Sequence, residues 1–288
     1  MAVPVFRFAP SPNGPLHLGH ALSALTGYAM AKRLGGRFLV RIEDIDTGRT
    51  RGQFVEGIFE DLAWLGLTWE QPVLVQSQHF PDYLAVSARL VGQGLLYPCF
   101  ATRTEIAAAA DPARLDPDGV QLYPGLWKGA RSDVLDQRLG RGETPALRID
   151  MAKALVAARA KLSGSAITFT EIGEDGVSRV IEAHPERWGD AVIVRRDVPA
   201  SYHLAVVVDD ARQGVTHVTR GQDLFAATDL HRLLQVLLGY PAPLYSHHRL
   251  VTGPDGQKLS KSLGDASLKA LREAGASAAK IREMLGFG

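Results

Sequence analysis

Two histidines stand three residues apart, His17 and His20, just after the segment Ala9-Pro-Ser-Pro-Asn-Gly-Pro15. Prolines at that density forbid regular structure, so a helix starts near Leu16. A helix start presents unpaired N–H groups and a partial positive charge, which suit a phosphate. His17 and His20 add side-chain donors on one face of the first turn, and Gly19 lets a nucleotide ring approach the backbone. Taken alone, a His-x-x-His pair equally well decorates a helix start. Far along the chain, Lys258-Leu-Ser-Lys-Ser262 follows the turn signal Thr252-Gly-Pro-Asp-Gly256. Lys258 and Lys261 suit a polyphosphate by charge, and the hydroxyls of Ser260 and Ser262 by hydrogen bonding. A solvated lysine loop is the plain alternative.

An acidic ligand calls for arginine, whose guanidinium offers a fork of donors. Arg7 stands at the end of the first apolar run and Arg220 in Val218-Thr-Arg-Gly221. Glu43, in Arg41-Ile-Glu-Asp-Ile-Asp46, offers an anion for an ammonium group, and Tyr202 a hydroxyl on a flat wall. Each has an ordinary alternative: a surface ion pair for Arg7, a core position for Tyr202.

These residues need elements to hold them. Val3–Phe8 reads as a buried strand, and Leu18, Leu22, Leu25 and Ala29 fall on one face of the helix that follows. Gly35-Gly36 stop that helix, and Phe38–Ile42 is the next strand. Phe54, Ile58, Leu62 and Leu65 mark a second amphipathic helix, and a third runs over about 81–91. Strand, helix, strand, helix at this spacing predicts an α/β fold with a parallel sheet and crossover helices. Ligands then bind beyond the C-terminal strand ends, where the segments after Phe8 and Ile42 lie. The texture changes near Tyr97: alanine-rich over 103–117, turn-rich over 121–131, polar and mixed over 167–186. The doubly wound pattern resumes with the apolar runs 191–195, 204–208 and 215–219 and a helix over about 226–238. A single last helix is expected over 268–285.

Bulk properties set limits. The chain has 288 residues, 46% hydrophobic and 22% charged, enough for a substantial core. A formal net charge of +1 excludes a protein that coats nucleic acid by charge alone, so any RNA contact is a local patch. Arg131, Arg138, Arg141, Arg187, Arg195 and Arg196 are candidates for it, or ordinary surface charges. The one cysteine, Cys99, excludes an internal disulfide and fits a reducing compartment. The N-terminal Met-Ala-Val-Pro-Val has no basic flank or signal-like apolar core, so a cytoplasmic location is expected.

His20 and Lys258 are too far apart for local composition to link them. Together, Phe8-Ala-Pro-Ser-Pro-Asn-Gly-Pro-Leu-His-Leu-Gly-His20 resembles the "HIGH" segment of class I aminoacyl-tRNA synthetases, in its glutamate-branch form. Lys258-Leu-Ser-Lys-Ser262 resembles the "KMSKS" loop. Arg41–Asp46, Tyr202–Asp210 and Val218–Gly221 resemble three further segments of that branch. The resemblance implies a Rossmann-type catalytic domain that activates L-glutamate with ATP and Mg²⁺ and passes it to RNA. It implies catalytic roles for His17, His20, Lys258 and Lys261. It implies ATP contacts from His17, Gly19, His20, Lys258, Ser260 and Lys261, with Lys258 and Lys261 at the pyrophosphate. It implies a glutamate site made by Arg7, Phe8, Ala9, Pro10, Ser11, Glu43, Tyr202 and Arg220.

The sequence also departs from the long glutamyl-tRNA synthetases. Few residues follow Ser262, whereas those enzymes continue into helical domains that read the anticodon. In length and motif order the chain is similar to the truncated branch, the glutamyl-Q tRNA(Asp) synthetases. That similarity implies transfer of glutamate to the queuosine base in the anticodon loop of tRNA(Asp). The alternatives are a trimmed enzyme that charges tRNA(Glu) and a non-catalytic tRNA-binding paralogue. Four residues after Tyr202 the long enzymes usually carry asparagine; Val206 stands here, which is expected to weaken glutamate binding before RNA arrives. Several truncated members hold zinc with Cys-x-Cys and Tyr-x-x-x-Cys pairs. Cys99-Phe100-Ala101 and Tyr123-Pro-Gly-Leu-Trp127 retain one thiol and one phenol, so no structural zinc is expected and packing of Trp127 is expected instead. The expected organisation is a first catalytic half over 1–96, an inserted subdomain over 97–190, a second half over 191–250, and the KLSKS loop with a C-terminal helix over 251–288. Glutamate and the tRNA(Asp) anticodon loop are the expected partners, with no membrane and no second copy of the chain.

Overall fold

A computed structural model describes residues 3–173, 175–251 and 266–287 of the protein. The first strand, β1 (Val5–Phe8), is buried along its whole length, as a central parallel strand must be. It leads through the proline-rich loop into α1 (Leu18–Arg33) and back to β2 (Arg37–Ile42). The return is tight: Gly35 takes a φ of +59°, and a Cβ on Gly36 would meet the Pro4 carbonyl oxygen at 2.6 Å. Then come α2 (Gly52–Trp64), β3 (Leu74–Val75) and α3 (Phe80–Gly92). The middle of the chain holds β4 (Leu96–Cys99), α4 (Arg103–Ala109), α5 (Ser132–Gly140), β5 (Ala146–Ile149), α6 (Met151–Lys161), β6 (Thr168–Ile172), β7 (Ser178–Glu182) and β8 (Val192–Val194). The last part is α7 (Tyr202–Arg212), β9 (His217–Gly221), α8 (Ala227–Leu238), β10 (Leu244–His248), α9 (Leu268–Glu273) and α10 (Ala278–Leu285).

The main sheet has the order β3-β2-β1-β9-β10-β6-β7. Every neighbouring pair is parallel except β6–β7, which closes one edge as an antiparallel hairpin. A small antiparallel sheet, β4-β5-β8, stands apart from it. The interval 97–190 contributes to both sheets, because β6 pairs with β10 in the main one. Helix α1 lies close on β1 and β9: a Cβ at Gly27 would stand 2.8 Å from Thr219 Oγ1. One apolar cluster collects around α6, α7 and α8; a second joins α1 and α2 to the C-terminal helices. Among the described residues no helix is long and apolar enough to cross a membrane.

Two expected elements differ. The run 204–208 is no strand but the middle of α7, started by the Ser201 hydroxyl, which accepts from the Leu204 N–H. The helix is buried on all sides, which erases its period and leaves a short apolar run that reads equally as strand. The final helix is two, α9 and α10, separated where Gly275 takes a φ of +89°.

Candidate active site

A cavity of about 740 Å³ opens beyond the C-terminal ends of β1, β2, β9 and β10, where the strand order turns back on itself. Arg7, Phe8, Ala9, Pro10, Ser11, His17, Gly19, His20, Glu43, Tyr202 and Arg220 all line it. The structure therefore brings together every predicted site residue it describes. Lys258, Ser260 and Lys261 lie outside the described residues. The described flanks of that segment sit at the cavity: Val251 lines it, and Ser267 pairs with His17 in an antiparallel bridge. The Leu268 N–H also donates to the Leu16 carbonyl at 2.8 Å.

At one end of the cavity the sheet buries three guanidinium groups. Arg41 is fully buried; it donates to Asp210 at 2.7 Å and, through Nη2, to Glu43 at 3.0 Å. Arg7 donates through Nε to the same Asp210 oxygen at 3.0 Å and through Nη1 to the Thr219 carbonyl at 3.4 Å. Burial alone would raise the Asp210 carboxyl, but Arg7 and Arg41 together hold it below the usual range. For Glu43 burial wins over the pull of Arg41 and Arg7, and its carboxyl is raised. Arg220 is held differently. Its Nε donates to His247 Nε2 at 3.1 Å, its Nη1 to His231 Nδ1 at 3.1 Å and its Nη2 to the Thr228 hydroxyl at 2.6 Å. Among the described residues Tyr202 has no hydrogen-bond partner for its hydroxyl, and burial raises its pKa.

At the other end, α1 begins with a cap made of imidazoles. His17 is the N-cap, and its Nδ1 accepts from the Gly19 N–H at 3.1 Å. His20 Nδ1 accepts from the His17 N–H at 3.2 Å, and the two rings lie 3.9 Å apart. A Cβ at Gly19 would stand 3.0 Å from the His17 ring, so this glycine makes room for that ring. Burial, with the His17 charge second, lowers the pKa of His20 to about 4. The neutral ring accepts at Nδ1, so its proton sits on Nε2 as a donor. The helix start can thus meet an anion with N–H groups and imidazole N–H.

Several site residues escaped the sequence reading. Asp210 belongs to a recognised segment, yet nothing local marks it as the shared counter-ion of arginines 203 and 169 positions away. The end of β10 and the loop after β9, including His248 and Asp223, also line the cavity; the strand-end rule applied to those strands would have found them. Away from the cavity, the Cys99 thiol donates to the Tyr123 hydroxyl at 3.4 Å. Phe100 and Trp127 pack beside them with ring centres 5.0 Å apart, and Arg138 lies over both. One thiol and one phenol fall short of the four donors of a closed zinc site. Most of the candidate RNA-binding arginines have partners within the chain: Arg131 with Asp133, Arg187 with Asp229, Arg195 with Asp46 and Asp197. Arg196 donates to the Ala101 carbonyl.

Comparison with known proteins agrees with this geometry. A family model described as tRNA synthetases class I (E and Q), catalytic domain, matches residues 4–286. The glutamyl-Q tRNA(Asp) synthetase of Rhodobacter capsulatus is 45% identical over 98% of this chain and 100% of its own. That of Symbiobacterium thermophilum is 40% identical over 94% of this chain and 82% of its own. A solved glutamate tRNA ligase from Elizabethkingia meningosepticum, in complex with its amino acid, superposes with a TM-score of 0.73 at 29% identity. It covers 92% of this chain, which spans about half (53%) of that longer ligase. A Rossmann-type sheet, a histidine-capped helix at its strand ends and a match over nearly the whole length lead to one assignment: the chain belongs to the class I tRNA synthetases (E and Q).

Proposed function

We propose that this protein activates L-glutamate with MgATP and passes the glutamyl group to the queuosine base in the anticodon loop of tRNA(Asp). One observation carries the amino-acid half: Arg220 is a buried cation facing the cavity with only neutral hydrogen-bond partners among the described residues. An incoming carboxylate supplies the missing charge. Arg7 and Tyr202 line the same space, and Glu43 offers its carboxylate to the substrate ammonium. Phe8, Ala9, Pro10 and Ser11 form the wall between this end and the helix start.

The α-carboxylate of glutamate then attacks the α-phosphorus of ATP, the bond to the bridging oxygen breaks, and pyrophosphate leaves. A hydroxyl of the modified base next attacks the acyl carbon, the bond from that carbon to the phosphate oxygen breaks, AMP leaves, and the hydroxyl proton is released to solvent. Little covalent chemistry falls to the protein. Its work is alignment of the two reactants and stabilisation of phosphate charge. The start of α1 with His17, Gly19 and His20 serves the phosphates. We assign the pyrophosphate to Lys258, Ser260 and Lys261 on the family resemblance; the cavity-side flanks Val251 and Ser267 support this.

The choice of acceptor rests on the likeness to the glutamyl-Q enzymes, which extends over all of the Rhodobacter chain. We take the catalytic halves as 1–96 and 191–250, with 97–190 between them and 251–288 after them, and we place the reaction in the cytoplasm as a monomer's work. The test is mass analysis of tRNA(Asp) after incubation with ATP, glutamate and the protein. One glutamyl addition on queuosine-containing tRNA, and none on unmodified tRNA, is expected. Charging of tRNA(Glu) instead would establish the trimmed-ligase alternative. Absence of glutamate-dependent ATP–pyrophosphate exchange would point to a binding paralogue.

A further inference from the structure

Of the three arginines buried at this end of the cavity, two are neutralised by carboxylates and one is not. Arg7 and Arg41 share Asp210, and Arg41 also holds Glu43. Arg220 is only 4% exposed, and among the described residues it forms no ion pair. A guanidinium only donates, so His231 must accept at Nδ1 and His247 at Nε2. This fixes both tautomers. His231 carries its proton on Nε2 and donates it to His203 Nδ1, 3.2 Å away. His247 carries its proton on Nδ1 and donates it to Glu171 Oε2 at 2.9 Å. Glu171 also accepts from the His247 backbone N–H at 2.8 Å, so it grips the ring and the strand together. The nearest hydrogen-bonded carboxylate is therefore one imidazole removed from the arginine. Burial, with the Arg220 charge next, drives the pKa of His231 well below its ordinary value, and burial lowers that of His247 despite Glu171. Both rings stay neutral near pH 7.

We propose that His231, His247 and Glu171 are positioning residues that fix the Arg220 guanidinium through neutral acceptors, so that its charge is kept for the side-chain carboxylate of the substrate. This rests on the glutamate reading above. The arrangement separates two tasks that a direct carboxylate partner would merge. Orientation comes from the imidazoles, while the positive charge remains uncancelled. It is thus a device for preferring an anionic amino acid over its amide.

The test is ATP–pyrophosphate exchange by the full chain, with glutamate and glutamine varied separately. His231→Asp sets a carboxylate against Arg220. The glutamate KM should rise about tenfold or more with kcat largely kept, and the preference for glutamate over glutamine should fall. His231→Gln, which keeps a neutral acceptor, should recover most of both. A wild-type KM in His231→Asp, or equal damage in His231→Gln, would overturn the proposal. If His231→Asp does not fold, Glu171→Gln decides: a raised glutamate KM at unchanged ATP KM is expected, and an unchanged glutamate KM overturns it. A wild-type protein with no glutamate-dependent exchange would remove the glutamate reading itself. An active wild type with indifferent variants would remove only the positioning role.

Discussion

At the residue scale the site is a problem of buried charge. Asp210 compensates Arg7 and Arg41 at once, and all three are nearly inaccessible. Removing such a partner leaves Arg7 without its carboxylate and Arg41 with Glu43 alone, away from water, which costs about 3–5 kcal/mol. Urea unfolding of Asp210→Asn should show a loss of that order, with glutamate activation lost as well. Val206 poses the opposite problem. It lies one turn past Tyr202, 1% exposed, within the large apolar cluster and outside the cavity lining. Val206→Asn should tighten glutamate binding, read as a lower KM, while the buried amide costs roughly 1–3 kcal/mol in stability; an unchanged KM would remove Val206 from the account. The cavity residues were legible where they stand in or beside recognisable segments, as Arg7, Glu43, Tyr202 and Arg220 do. Their partners Asp210, His231 and His247 were not, because such pairings join residues that only the folded sheet makes neighbours.

At the scale of elements, α1 begins at the cavity with a histidine cap that depends on one small residue. In Gly19→Ala the new methyl meets the His17 ring at 3.0 Å, and the ring must give by a few tenths of an ångström, which loosens its cap. The expected result is a loss of about 1 kcal/mol in stability and a raised ATP KM at unchanged glutamate KM in the exchange assay. In the middle of the chain, the contact of Cys99 with Tyr123 and the stack of Phe100, Trp127 and Arg138 stand where some relatives are expected to bind metal. Metal analysis of the purified protein should find no stoichiometric zinc, and a chelator should leave the Tm unchanged, whereas Trp127→Ala should lower it. Elements with a clear apolar period, such as α2 and α3, were readable along the chain, and α1 was readable from the prolines before it and the glycines after it. Helix α7 was not, because burial on every side leaves no polar face to set the repeat. The break between α9 and α10 rests on one backbone angle at Gly275.

At the scale of the whole molecule, buried neutral histidines tie stability to acidity. Burial is the first cause in each case: it lowers His20 and His203 to about 4, and it holds His231 well below its ordinary value. An unfolded histidine takes its proton near pH 6.5, so in the window between these values the unfolded chain binds more protons. Stability contributed by these rings is complete above about pH 6.5 and is lost as pH falls toward 4, by up to about 1.4 kcal/mol per pH unit for each group. Carboxyls raised by burial, such as Asp61 at about 6, act in the opposite sense. The informative quantity is therefore a difference: the fall in Tm between pH 7 and pH 5 should be shallower in His203→Gln than in the wild type. The sheet order has a consequence for synthesis on the ribosome. Strand β1 leaves the exit tunnel early, but its neighbour β9 is encoded much later, with 211 positions between Val5 and its partner Thr216. At the usual elongation rate, the nascent chain carries an unsatisfied β1 edge for roughly 10–40 seconds before the strand that will cover it exists. Throughout that interval the two halves of the cavity are on opposite sides of a translation delay, and a chaperone has its longest opportunity to act.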